Sequence, residues 1–94
     1  MKKDFHIHIN HFYSFEYYED GKKMVIDLDF RDRILYLDTD LIKSWEKPYD
    51  GLEISYEEKL KILVKIRECL LERRQPEEVV FTEGQEEHKN GDNA

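Results

Sequence analysis

Between Ser55 and Pro76 the chain carries apolar residues at the spacing of a long helix, and this stretch constrains the fold more than any other. With successive residues about 100° apart, Leu60, Ile62, Leu63, Val64, Ile66, Cys69, Leu70 and Leu71 cover one broad arc, while Glu57, Glu58, Lys61, Lys65, Glu68 and Glu72 gather opposite. Ser55 followed by Glu58 is a capping box, in which a hydroxyl and a carboxylate satisfy the amides left without partners at a helix start. Pro76 prevents continuation. The pattern predicts a helix from Tyr56 to about Arg74 with a face that must be covered. Arg67 falls inside the apolar arc, where its stem can pack while its head reaches water.

The rest of the chain supplies strands to cover that face. Phe5–Ile9 alternates with period two, and the aromatic run Phe12–Tyr18 reads as a second strand. Asp20-Gly21 is a short hairpin signal, because tight primed turns need positive φ at their centre, so the second and third strands should pair antiparallel. In the third, Met24, Ile26, Leu28 and Phe30 share one face, and Val25, Asp27 and Asp29 point the other way. Arg31-Asp32-Arg33 then turns into Ile34–Asp38, a fourth strand, which makes a four-stranded meander the simplest pairing. An irregular connection from Thr39 to Leu52 holds Trp45, Pro48 and the Tyr49-Asp50-Gly51 turn. Val79–Thr82 reads as a last strand.

These elements predict an α+β domain in the order ββββαβ, an antiparallel sheet of four to five strands with one long helix on one face. At 94 residues the chain has room for a single core. The domain is placed at residues 1–83, and residues 84–94, which hold no core residue, are expected to form a disordered acidic tail.

A hydrophobic fraction of 39% beside a charged fraction of 39% predicts a thin core under a charged surface. No segment approaches a membrane span or a secretory leader, which points to a cytoplasmic protein. A single cysteine, Cys69, cannot form an internal disulfide and is expected to be buried and inert. The net charge of −7 disfavours nucleic acid or an anionic membrane as partner and favours a basic one. Its distribution is uneven: residues 1–15 carry +1, residues 16–58 carry −7, residues 59–76 carry +4 and residues 77–94 carry −5.

Few residues suggest catalysis. His6 and His8 share a strand face with His11 nearby, a possible start for a metal site, but metal-dependent hydrolases with such a His-x-His strand need long barrels and several further ligands. Asp27 and Asp29, and Asp38 and Asp40, form two Asp-x-Asp pairs on strands read as possible neighbours. Paired carboxylates can share acid–base work, yet a solvated sheet face or an anionic contact surface explains them more simply. No Gly-x-Ser-x-Gly turn or glycine-rich phosphate loop is present. Phe5, Phe12, Phe15, Phe30 and Phe81 are expected mostly in the core, whereas Tyr13, Tyr17, Tyr18, Tyr36 and Tyr49 suit either a partly buried sheet or an interface. No catalytic residue, cofactor or structural metal is expected.

The run Tyr36-Leu37-Asp38, Ile42-Lys43-Ser44-Trp45-Glu46-Lys47-Pro48-Tyr49-Asp50-Gly51 and Ile54-Ser55, continuing through Glu58, Ile62, Ile66 and Leu70, resembles the immunity protein 74 family of bacterial polymorphic-toxin systems. The likeness spans roughly residues 34–82 and rests on a Trp-x-x-Pro turn before an Ile-Ser-capped helix, although Gln75-Pro76 stands where relatives commonly end the helix with Gly. It implies a cytoplasmic, non-catalytic antidote to a cognate toxin domain. Such toxins are often nucleases and hence basic, which agrees with the charge map. Asp27, Asp29, Asp38, Asp40, Asp50 and Glu53, with Tyr49 and Trp45, are the expected contact surface, Trp45 being open to either a core or an interface role. A regulatory or self-assembling module, monomeric or dimeric, and a His-x-His enzyme are the alternatives.

Overall fold

Asp20 and Gly21 both adopt positive φ, 53° and 77°, the conformation of a type I′ turn, whose twist matches that of the strands it joins. It connects β2, Ser14–Glu19, to β3, Lys22–Asp27, as the dipeptide predicts. The computed structural model describes residues 4–82, and the acidic tail at 84–94 lies outside them. β1, Phe5–His11, pairs antiparallel with the other side of β2, giving the order β1-β2-β3.

Strand boundaries differ from the sequence reading at the first hairpin. β1 runs on through Asn10 and His11, so Phe12 and Tyr13 become the turn rather than the start of β2. Phe12 is therefore 55% exposed, not core. Pairing of β3 with β2 stops where β2 begins, at Ser14↔Asp27. Beyond it the amides of Leu28 and Phe30 donate to the carbonyls of Tyr13 and Phe12 at 2.9 and 2.6 Å, so the expected extension to Phe30 follows the turn instead of a strand.

Period two sorts the two faces of the sheet. Phe15, Tyr17, Met24 and Ile26 are buried on one, with Phe5, Ile7 and Ile9 partly buried beside them. His6, His8, Val25 and Asp27 are exposed on the other.

The helix α1, Tyr56–Leu70, lies across the buried face. Its capping box is present in full: Ser55 Oγ accepts from the Glu58 amide at 3.1 Å, and Glu58 Oε1 accepts from the Ser55 amide at 3.2 Å. Ile62, Leu63, Ile66, Cys69 and Leu70 are buried. The covered arc is narrower than the sequence pattern, since Val64 is 51% exposed. The regular helix ends at Leu70, before the expected Arg74, because the amides of Glu72 and Arg73 bond only three residues back, to the Cys69 and Leu70 carbonyls at 3.3 and 2.9 Å. The Arg67 head does not simply reach water. Its Nε donates to the Val79 carbonyl at 2.8 Å, and its guanidinium lies 5.7 Å from the Phe81 ring.

The expected four-stranded meander is not what forms. β4, Leu35–Leu37, pairs with β5, Val79–Phe81, in parallel, as a separate two-stranded sheet. Parallel neighbours need a crossover, and α1 supplies it, so β4-α1-β5 is a small βαβ unit packed against a three-stranded meander. The place beside β3 is taken by the 42–46 segment, where the Glu46 amide donates to the Lys23 carbonyl at 2.7 Å. That segment is drawn in by burial of Ile42 and Trp45. The molecule is α+β in the expected element order, with a smaller principal sheet. No helix among the described residues is long and apolar enough to cross a membrane.

Candidate partner-binding surface

Two aromatic rings share the ammonium of Lys22. Its Nζ lies 5.3 Å from the centre of the Trp45 ring and 5.8 Å from that of Tyr49, distances at which an ammonium is attracted by the negative face of a ring. Trp45 is 7% exposed, stacks on Tyr17 at 6.2 Å and belongs to the core. Tyr49 remains exposed at the rim. The Lys47–Pro48 bond between them is cis.

Beside this stack is a cleft of about 350 Å³. The β2–β3 turn contributes Glu19, Asp20 and Lys22, the loop contributes Trp45, Leu52 and Glu53, and the first turns of α1 contribute Glu58, Lys61 and Lys65. Lys65 donates to the Glu19 carboxylate across one wall. Glu19 is held below the ordinary carboxylate value of 4.5: burial pushes it up, but the Lys65 and Tyr17 hydrogen bonds outweigh that. Tyr49, Leu52 and Tyr56 project large exposed side chains along the adjoining loop and helix start, interspersed with exposed Asp50 and Glu53.

The expected contact residues fall into two groups. Trp45 and Glu53 line the cleft, Tyr49 adjoins it through Lys22, and Asp50 follows in the same turn. Asp27, Asp29, Asp38 and Asp40 do not line it. The two Asp-x-Asp pairs also fail to sit on neighbouring strands, because β3 and β4 do not pair. Asp27 ends β3 on its exposed side. Asp29 is engaged locally: Arg31 Nε and Nη2 donate to its two oxygens at 3.0 and 2.9 Å, which holds its carboxyl well below the usual range, at about 2. Asp38 caps a short turn at Thr39–Leu41 by accepting from the Asp40 amide at 2.9 Å, leaving Asp40 exposed.

A further cluster escaped the sequence reading. Arg31, oriented by Asp29, lies 5.9 Å from the Phe12 ring and 5.3 Å from the Tyr13 ring, both exposed at the β1–β2 turn. Aromatic and arginine side chains in this state are the types that dominate protein interfaces. The only available signal was the aromatic pair directly after Asn10-His11, and its meaning depended on where the turn fell.

On the open sheet face Glu16 organises the histidines and tyrosine. It accepts from the Tyr18 hydroxyl at 2.6 Å and lies 3.5 Å from His8 Nδ1, while the His6 ring stacks on Tyr18 at 4.6 Å. Hydrogen bonding to Tyr18 lowers the Glu16 pKa and raises that of Tyr18. No group of three or more metal-ligating side chains is assembled among the described residues. Cys69 is buried. No protein-family model, curated protein or solved structure matches the chain.

Proposed function

We propose that this domain is an immunity protein, which binds and neutralises a cognate bacterial toxin domain in the cytoplasm of the cell that makes both. The observation that most supports the reading is the 49–56 segment. It presents Tyr49, Leu52 and Tyr56 to solvent between Asp50 and Glu53, beside a cleft, an arrangement of large anchors among acidic groups that suits a basic partner. The segment falls within the stretch that resembles immunity proteins. A net charge of −7 would steer such an inhibitor toward a nuclease-type toxin, whose phosphate-binding surface is basic, and apolar contacts would then hold the complex.

The test is co-expression with the C-terminal toxin domain encoded by the neighbouring gene. A stable complex and restored growth are expected. Asp50→Lys with Glu53→Lys should weaken the complex at least tenfold while the protein remains folded. A toxin domain that forms no complex and kills unchecked would sink the reading.

A further inference from the structure

The three-stranded sheet has two edges, and they differ. Along β3 the Glu46 amide occupies the Lys23 carbonyl, and Lys22, Lys23 and Asp27 place charge on the strand. β1 forms the other edge. From Phe5 to His11 it contains no Asp, Glu, Lys, Arg or Pro, the residues with which exposed edges ordinarily resist pairing.

The direction of its backbone groups follows from register. A two-residue turn closes on a pair that exchanges both backbone bonds, here Glu19↔Lys22, and bonded pairs then alternate with non-bonded ones. Phe15 and Tyr17 therefore bond toward β3, and Glu16 and Tyr18 toward β1. Their partners on β1 are His8 and His6. Ile7 and Ile9 alternate with these and aim their N–H and C=O groups out of the sheet. The Glu46–Lys23 bond agrees, because Lys23, opposite Tyr18, must likewise point away from β2. Among the described residues no backbone bond joins Ile7 or Ile9 to anything beyond this edge.

We infer that a second copy of this chain pairs its own β1 antiparallel along this edge, about a two-fold axis through His8. Ile7 of each copy exchanges both backbone bonds with Ile9 of the other, which satisfies the outward groups of both at once. The two His8 side chains meet on the open face in a non-hydrogen-bonded pair, where Cα atoms stand about 4.5 Å apart. Centring the axis on His8 joins the regular part of the strand, short of the register shift between Ile9 and His11, and the partly buried Ile7 and Ile9 side chains cover one another on the opposite face. The register is self-complementary, because a second β1 presents the same outward groups at Ile7 and Ile9. A chain of net charge −7 repels itself over much of its surface, yet this strand has no Asp, Glu, Lys or Arg to set like charges against each other. The inference is independent of the toxin reading.

Sedimentation equilibrium of the full chain, from micromolar to millimolar concentration, is expected to approach twice the 11.5 kDa chain mass. His8→Lys keeps Glu16 beside it within each copy, so the fold is retained, but it opposes two ammonium groups on the axis. It should raise the dimer dissociation constant at least tenfold, whereas Val64→Lys, on the exposed side of α1, should not. His8→Cys provides a second reading. With glutathione disulfide, the two strand thiols become one intermolecular disulfide and two glutathione thiols are released, while the parent, whose Cys69 is buried, stays uncrosslinked. A chain monomeric throughout the range overturns the inference. So does a dimer that survives His8→Lys and is lost with Val64→Lys, or protection of the β1 amides seen only when a toxin domain is added, which would assign the edge to a foreign strand.

Discussion

The hydroxyl of Tyr17 donates a 2.7 Å hydrogen bond to the carboxylate of Glu19. Tyr17 has no exposed surface, and the same carboxylate receives Lys65 from the helix. One acidic side chain thus ties the end of β2 to α1 and satisfies a polar atom beneath the sheet. Tyr17→Phe should cost about 1.5–3 kcal/mol in urea unfolding, the usual worth of a hydrogen bond to a charged group. No measurable change would mean that water replaces the bond.

The same group sets an acid limit on stability. Glu19 and Glu16 are both depressed below 4.5 in the folded protein, so their contribution is fully present above that value, where the unfolded chain is also ionised. It is lost as pH falls through the folded values. Thermal stability is expected to decline from about pH 4.5 downward, and Glu19→Gln should be less stable at neutral pH with a shallower decline. A Glu19→Gln profile parallel to that of the parent would remove Glu19 from the explanation.

Arg74 is the clasp between the end of the helix and the loop that leaves β3. Its Nη1 donates to the carbonyls of Asp32 and Arg33 at 3.0 and 2.9 Å, and its Nη2 to that of Phe30 at 2.8 Å. Arg74→Ala should cost about 2 kcal/mol. Arg74→Lys should recover little of it, since a compact ammonium lacks the planar fork that reaches several carbonyls at once. Hydrogen exchange across residues 28–34 would show the loosened loop.

Ser55 is exposed, yet it closes the capping box at the start of α1. Ser55→Ala should lower stability by about 1 kcal/mol, and Ser55→Asp should restore most of it. Equal losses in both variants would show that the cap contributes nothing specific to hydroxyl or carboxylate acceptors.

Trp45 and Tyr49 share Lys22 but should respond differently. Trp45→Ala, which empties a core site, is expected to cost about 3–5 kcal/mol. Tyr49→Ala should leave the urea midpoint nearly unchanged and weaken the proposed toxin complex by about tenfold or more. Binding calorimetry alongside denaturation separates the two, and an unfolded Tyr49→Ala protein would contradict its rim position.

Local chemistry made much of this protein legible from sequence. Asp20-Gly21 named its turn because positive φ is a property of those residues, and Ser55 with Glu58 named the helix start because the acceptor and donor lie one turn apart. Period two assigned the buried and exposed sides of β1 and β3. Partnership between distant segments was not written in this way. A three-residue strand such as Leu35–Leu37 carries no mark of its neighbour, and it pairs with Val79–Phe81 because the helix crossover returns the chain in parallel while the Trp45 segment occupies β3. The same competition placed Phe12 in solvent, gave Asp29 to Arg31 and separated the Asp-x-Asp pairs. Sequence determined what each short stretch could become, since those preferences act within a few residues. Only the tertiary structure decided which stretches share an edge or a surface, because that depends on burying one common core.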